Sequence, residues 1–182
     1  MTYQMKTQPF THQREGWERT RDLPAYAVLW EQGTGKTKLT IDTAGHLYDS
    51  GKIDCLIVVA PKGVHRNWIS DELPKHMPDS VPWKGIVWQS QKTGNISFRA
   101  LAKEVMNFSG LAVLAMNYEA TLTDDGDKFL SRLLQARKTM LVLDESAYIK
   151  NPGTKRTKRL IARGKYAKVR RILTGTPVAN SP

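Results

Sequence analysis

The 182 residues include a single cysteine, Cys55, so no disulfide can form within the chain. It lies in the apolar run Cys55-Leu56-Ile57-Val58-Val59-Ala60, where a small buried residue is expected. No apolar stretch approaches the ~18 residues that a membrane-crossing helix needs, and Met1-Thr2-Tyr3-Gln4-Met5-Lys6 lacks the apolar centre of a signal peptide. These absences argue against a disulfide scaffold or a membrane protein and place the chain in the cytoplasm. His12, His46, His65 and His76 are scattered without zinc-ligand spacing. Acidic residues are missing altogether between Lys150 and Arg171, a segment holding ten Lys or Arg. Nearly all of the +11 net charge resides there.

With 40% hydrophobic and 25% charged residues, the chain has the make-up of one globular domain with a substantial core. Its central stretch is Trp30-Glu31-Gln32-Gly33-Thr34-Gly35-Lys36-Thr37. The apolar run Tyr26-Ala27-Val28-Leu29 precedes it, and a helical pattern begins at Lys36-Thr37. Strand, glycine turn and helix in that order make a phosphate-binding loop. Backbone N–H groups of the turn converge on phosphate oxygens, the helix N-terminus adds partial positive charge, and Lys36 adds a full one. Thr37 is suited to hold Mg²⁺ through its hydroxyl. The full pattern G-x-x-x-x-G-K-[ST] asks for glycine where this chain has Trp30. Gly33, Gly35, Lys36 and Thr37 keep the tighter core, with Thr34 between the glycines, and this variant resembles the first motif of helicase-like ATPases.

Ahead of the loop, Gln13 follows Pro9-Phe10-Thr11-His12. A glutamine amide offers the donor and acceptor that the N6 and N7 edge of adenine requires. Alone it reads as a surface helix start; before a phosphate loop it resembles the adenine-reading glutamine of helicase-type ATPases. Residues 1–8 are expected to form a flexible lead. Past the loop, Ile41, Ala44, Leu47 and Tyr48 recur at helical spacing, and Cys55 to Ala60 reads as a central parallel strand. The basic turn after it carries Lys62 and Arg66, expected at the ligand-binding edge of an open sheet and able to contact a nucleic-acid backbone. Pro74 is read as a breaker, Gly85 to Trp88 as a strand, Phe98 to Phe108 as an amphipathic helix, and Leu111 to Met116 as a buried strand. Thr123-Asp124-Asp125-Gly126-Asp127 reads as a loop. Strands alternating with helices predict an α/β fold, an open, mostly parallel sheet covered by helices on both faces.

A second site supports the first. Met140-Leu141-Val142-Leu143 is a buried strand ending in Asp144-Glu145, where strand order is expected to set the acids beside the phosphate loop. Asp144 can orient Mg²⁺, and Glu145 can polarise an attacking water. Gln13, Gly33-Thr34-Gly35-Lys36-Thr37, Asp144-Glu145-Ser146, Ile149-Lys150-Asn151-Pro152 and Leu173-Thr174-Gly175-Thr176-Pro177 stand in an order that resembles the first RecA-like lobe of superfamily-two helicases. The basic segment between the last two motifs is similar to that of the Swi/Snf-related branch, DNA-translocating ATPases, in particular phage and bacterial members. The resemblance covers about Phe10 to Pro182.

It implies a RecA-like P-loop NTPase domain over residues 1–182, using ATP and Mg²⁺. Thr174, Gly175 and Thr176 would couple hydrolysis to movement. A second RecA-like lobe, not in this chain, would supply an arginine finger, so the chain alone is expected to turn over slowly. Where that branch has His or Asp, the acid box here has Ala147, and coupling through the Thr174–Thr176 turn is expected to be weakened or routed otherwise. Ten bases without an acid favour non-specific contact with duplex DNA, with Lys150, Lys155, Arg156 and Arg159 joining Lys62 and Arg66. Two other readings stand beside this one: a strand-separating or restriction-type helicase, and a non-catalytic nucleic-acid-binding module with a vestigial nucleotide site.

Overall fold

The computed structural model describes residues 3–149 and 151–175. Six strands form one sheet: β1 (Ala25–Val28), β2 (Cys55–Ala60), β3 (Trp83–Val87), β4 (Leu111–Asn117), β5 (Thr139–Leu143) and β6 (Val169–Leu173). Their spatial order is β1-β6-β5-β2-β4-β3, and every neighbouring pair runs parallel. The helices are α1 (Thr11–Thr20), α2 (Lys36–Asp49), α3 (Val64–Asn67), α4 (Leu73–His76), α5 (Ile96–Asn107), α6 (Asp124–Ala136) and α7 (Lys155–Gly164).

All six residues of β2 are buried, because a parallel strand in mid-sheet is covered on both faces. Alternation divides them between two cores. Leu56, Val58 and Ala60 pack with Trp17 of α1 and with Leu39, Ile41, Ala44 and Leu47 of α2. Cys55, Ile57 and Val59 pack on the other face with Phe98 and Val105 of α5, the Phe129–Leu134 stripe of α6 and Leu160 of α7. Each fully buried Val, Leu or Ile is worth about 1.5–3 kcal/mol, so these two layers hold the strand ends in a common frame. No helix among the described residues is long and apolar enough to cross a membrane.

Three local expectations change. Thr123–Asp127 is the start of α6 rather than a loop. Thr123 Oγ1 accepts from the Gly126 N–H, and Asp124, Asp125 and Asp127 sit in the first turn, where the helix dipole favours acids. Gly126 is required there, since a Cβ would stand 2.1 Å from the Ala120 carbonyl oxygen. Pro74 does not break its helix. A π-turn over Trp68–Glu72, closed by the Leu73 N–H on Trp68 O, leads into α4, with proline in the first turn where its missing N–H is tolerated.

The lead, expected to be flexible, is tied down from Tyr3 onward. Tyr3 Oη donates to Asp42 Oδ1 at 3.2 Å, and Lys6 Nζ meets Asp79 at 2.6 Å. Lys38 Nζ donates to Thr7 O and pairs with Asp42 at 2.7 Å, out of solvent. Burial pushes the Asp42 carboxyl up, and Lys38 opposes the shift.

His76 meets Thr7 Oγ1 at 2.7 Å, and burial, aided by Lys38 and Lys75, lowers its pKa from 6.5 to about 4. The unfolded chain therefore binds more protons than the folded one between those values. Stability is fully present above pH 6.5 and is lost as the pH falls towards 4. Urea midpoints measured across that range should fall less steeply for His76→Gln than for wild type; parallel slopes would show that this ring is not responsible.

Candidate active site

Apart from Gln13, which lies on α1 ahead of β1, the candidate segments follow the C-terminal ends of the strands. Between β1 and α2 the chain turns at Gly33 and Gly35, with φ of +80° and +88°, a region that favours glycine. A Cβ at Gly35 would also stand 2.1 Å from Gln13 Nε2. No side chain caps the N-terminus of α2, so its first N–H groups remain donors towards the loop. Lys36 is buried, and its Nζ donates to Trp30 O and Glu31 O, both at 2.9 Å. Thr37 follows in the first turn, half-buried.

Gln13 lies beside this loop rather than on the surface. Its Oε1 accepts from Phe10 N at 3.1 Å, and its Nε2 donates to Thr34 O at 3.0 Å. His12 Nε2 donates to the same carbonyl at 3.0 Å. Much of the Gln13 amide is thus spent bracing the loop, with one hydrogen and one lone pair left for a base edge. Trp30, where glycine is usual, lays its ring on α1, and a Cβ at Gly16 would come within 2.5 Å of it. Loop and α1 are therefore packed together, a pairing that the thirteen residues between Gly16 and Trp30 hide in the sequence.

At the end of β5, Asp144 is buried. Trp68 Nε1 donates to its Oδ2 and the Glu145 N–H to its Oδ1, both at 2.9 Å. Burial raises the Asp144 carboxyl above the usual range, while the Trp68 hydrogen bond and the charge of Lys36 pull it back. Lys36 and Asp144 are thus within electrostatic reach of each other. Glu145, with φ of +49°, is the one described non-glycine residue in the left-handed region.

In the sheet, β6 lies between β1, which leads into the glycine turn, and β5, which ends in the acid pair. That insertion brings the β6 end into the site. The Thr174 N–H donates to Val28 O at 3.2 Å, and a Cβ on Gly175 would stand 3.4 Å from Gln32 N and 3.7 Å from Lys36 Nζ. Thr176 and Lys150 lie outside the described residues.

Of the cations expected to face DNA, Lys62, Arg66 and Lys155 are exposed. Lys62 and Arg66 line a hollow of about 610 Å³ at the strand ends, with Gln89, Gln91, Asn117 and Glu119 around it. Arg156 and Arg159 turn inward instead. Arg156 pairs with Glu119 at 3.1 Å, and Arg159 Nη1 donates to Thr121 O at 2.9 Å. Arg163 forms two bonds to Asp127, at 2.9 and 2.7 Å. Part of the basic stripe therefore fastens α7 to its neighbours. Nothing in the sequence marks Trp68 or Tyr118, although Trp68 Nε1 donates to Asp144 Oδ2 and Tyr118 Oη to Asp144 O at 2.7 Å. A core aromatic that also bonds the carboxylate, as Trp68 does, or its backbone, as Tyr118 does, carries no distinguishing pattern.

These residues fit a magnesium nucleotide. Left-handed glycines keep side chains out of the loop, uncapped N–H groups and a buried ammonium suit phosphate, and Thr37 and Asp144 are hard oxygen ligands. No cluster of three or more His, Cys, Asp or Glu able to hold a metal occurs among the described residues.

Residues 28–182 match the SNF2-related domain family. The chain is 28% identical over 159 residues to the "SWI/SNF-related matrix-associated actin-dependent regulator of chromatin subfamily A containing DEAD/H box 1A" of Danio rerio, covering 83% of this chain and 14% of that protein. It is 28% identical over 156 residues to the "DNA annealing helicase and endonuclease ZRANB3" of Mus musculus, covering 85% and 13%. The chain thus spans about one-seventh of the length of these curated relatives. Among solved structures, the Sulfolobus solfataricus SWI2/SNF2 ATPase core domain superposes with a TM-score of 0.64 at 24% identity, over 97% of this chain and 34% of that one. The UvsW helicase from Bacteriophage T4 gives 0.64 at 13% identity, over 93% and 53%. At these identities both likenesses concern the fold, a RecA-like α/β domain.

Proposed function

This chain belongs to the SNF2-related domain family, and from that premise we propose that it is the ATP-binding lobe of a DNA-dependent ATPase that moves along duplex DNA. The reading is supported by Lys36, whose buried ammonium sits at the glycine turn, 3.7 Å from where a Cβ on Gly175 at the β6 end would stand, and whose charge lowers the Asp144 carboxyl at the β5 end. Bound Mg²⁺ and ATP supply the transferable phosphoryl group and the Lewis acid.

The chain's own residues do the rest. Loop N–H groups and Lys36 hold phosphate, Thr37 and Asp144 hold the cation, and Glu145 polarises water. Gln13 braces the loop and offers its remaining donor and acceptor to the base. Thr174 and Gly175 take part in coupling hydrolysis to movement, a role the resemblance extends to Thr176. Lys62, Arg66 and Lys155 grip the DNA backbone without reading sequence. The whole protein carries a second lobe that completes the site, so this chain alone binds nucleotide and turns it over slowly. Its workplace is the cytoplasm.

Lys36→Ala removes the ammonium, and nucleotide affinity should fall about 100-fold, or ~3 kcal/mol, by fluorescent-nucleotide titration. Equal and negligible binding by both proteins would support the vestigial-site alternative. For DNA, about three neutralised phosphates give a log-affinity against log-salt slope of roughly −2.7. Duplex binding indifferent to salt, or none at low salt, sinks the DNA part of the proposal.

A further inference from the structure

Ala147 offers no hydrogen bond across the site, yet the acid box is anchored on its other side. The peptide joining Asp144 to Glu145 is held at both of its polar ends. Its carbonyl accepts from Tyr118 Oη at 2.7 Å, and its N–H donates to Asp144 Oδ1 at 2.9 Å. That plane sets where Glu145 leaves the chain, at the strained φ of +49°. Tyr118 itself is fully buried at the start of the turn after β4. Its ring stacks on Tyr148, with centroids 5.4 Å apart and planes within 2°, so it touches the acid-box turn twice.

On its outer side Tyr118 meets the basic helix. The Arg156 guanidinium lies 5.8 Å from the Tyr118 ring centroid and pairs with Glu119 Oε1 at 3.1 Å, while Arg156 Nε is buried without a partner. Glu119 is exposed and forms part of the wall of the hollow that Lys62 and Arg66 line. Arg156 stands behind Glu119, bonded to it through Nη2 alone, and a guanidinium can bind phosphate as readily as carboxylate.

We propose that Tyr118 is a positioning residue for Glu145, and that Arg156, exchanged between Glu119 and a DNA phosphate, carries nucleic-acid occupancy to it. The route runs from groove wall to guanidinium, from guanidinium to phenol ring, and from phenol hydroxyl to the peptide that aims Glu145. It replaces the contact that Ala147 cannot make. This inference rests on the ATPase reading above, and its test separates the two.

The measurement is single-turnover hydrolysis by the chain with and without saturating duplex, beside separate nucleotide and duplex titrations. In wild type, duplex should change the hydrolysis rate about fivefold or more. Tyr118→Phe keeps both rings and loses only the hydroxyl; Arg156→Gln removes the cation beside them. Either substitution should bring the duplex effect on hydrolysis to within about twofold of unity, with each ligand still bound. Lys155→Gln, which removes a neighbouring exposed cation, should weaken duplex binding and leave the duplex effect at saturation as in wild type. A full duplex effect retained in Tyr118→Phe and Arg156→Gln, or none in a wild type that binds both ligands, overturns the relay alone. A wild type that binds neither ligand overturns the ATPase reading and the relay with it.

Discussion

Glu145→Gln should leave nucleotide affinity within about threefold of wild type while lowering single-turnover hydrolysis by roughly two to four orders of magnitude. The substitution keeps size and shape and deletes the carboxylate proposed to accept a proton from water. Position is already set by the chain, through the left-handed backbone at Glu145 and the two bonds that hold its peptide plane. Binding rests on other groups, the Lys36 ammonium and the glycine turn, so the two effects separate. Chemical-quench measurements with duplex present, alongside equilibrium titration, give both quantities. Turnover within tenfold of wild type would mean that Glu145 is not the base, and the assignment of Asp144 and Glu145 to metal and water would have to be redrawn.

Arg137→Ala is expected to cost about 3 kcal/mol of stability without altering the nucleotide site. Arg137 closes α6, and its guanidinium donates to the carbonyls of Asp54, Met106, Phe108 and Gly110. Those carbonyls precede β2 and β4, at the edge of the sheet opposite the functional loops. No acid pairs with Arg137 among the described residues. Its contribution is therefore the simultaneous satisfaction of several backbone acceptors by one planar group. Lysine, a single ammonium, cannot reach all four, so Arg137→Lys should recover less than half of the loss. A urea-unfolding difference below about 1 kcal/mol would show that water replaces the clamp at little cost.

The two edges of the sheet carry different kinds of information. At the C-terminal edge, chemistry is local. Gly33, Gly35, Lys36 and Thr37 follow a short apolar run, and Asp144 and Glu145 end another, so both halves of the site are readable in order along the chain. At the other edge Arg137 works through carbonyls, which no sequence displays. The same distinction explains the misreadings. Three aspartates after Thr123 look like a solvated turn until the cap and dipole make them the start of α6. The basic run looks uniformly exposed until Glu119, Thr121 and Asp127 claim Arg156, Arg159 and Arg163.

The sequence by itself determined the α/β class, the parallel strands, the glycine turn before a helix and the acid pair at a strand end, because each depends on residues a few positions apart and on apolar periodicity. Only the tertiary structure decided that β6 separates the two motif strands, that Gln13 and Trp30 lock the loop to α1, that Trp68 and Tyr118 hold the acid box, and which arginines remain for solvent. These outcomes depend on pairs of groups remote in the chain, whose meeting is set by how the helices seat on the sheet.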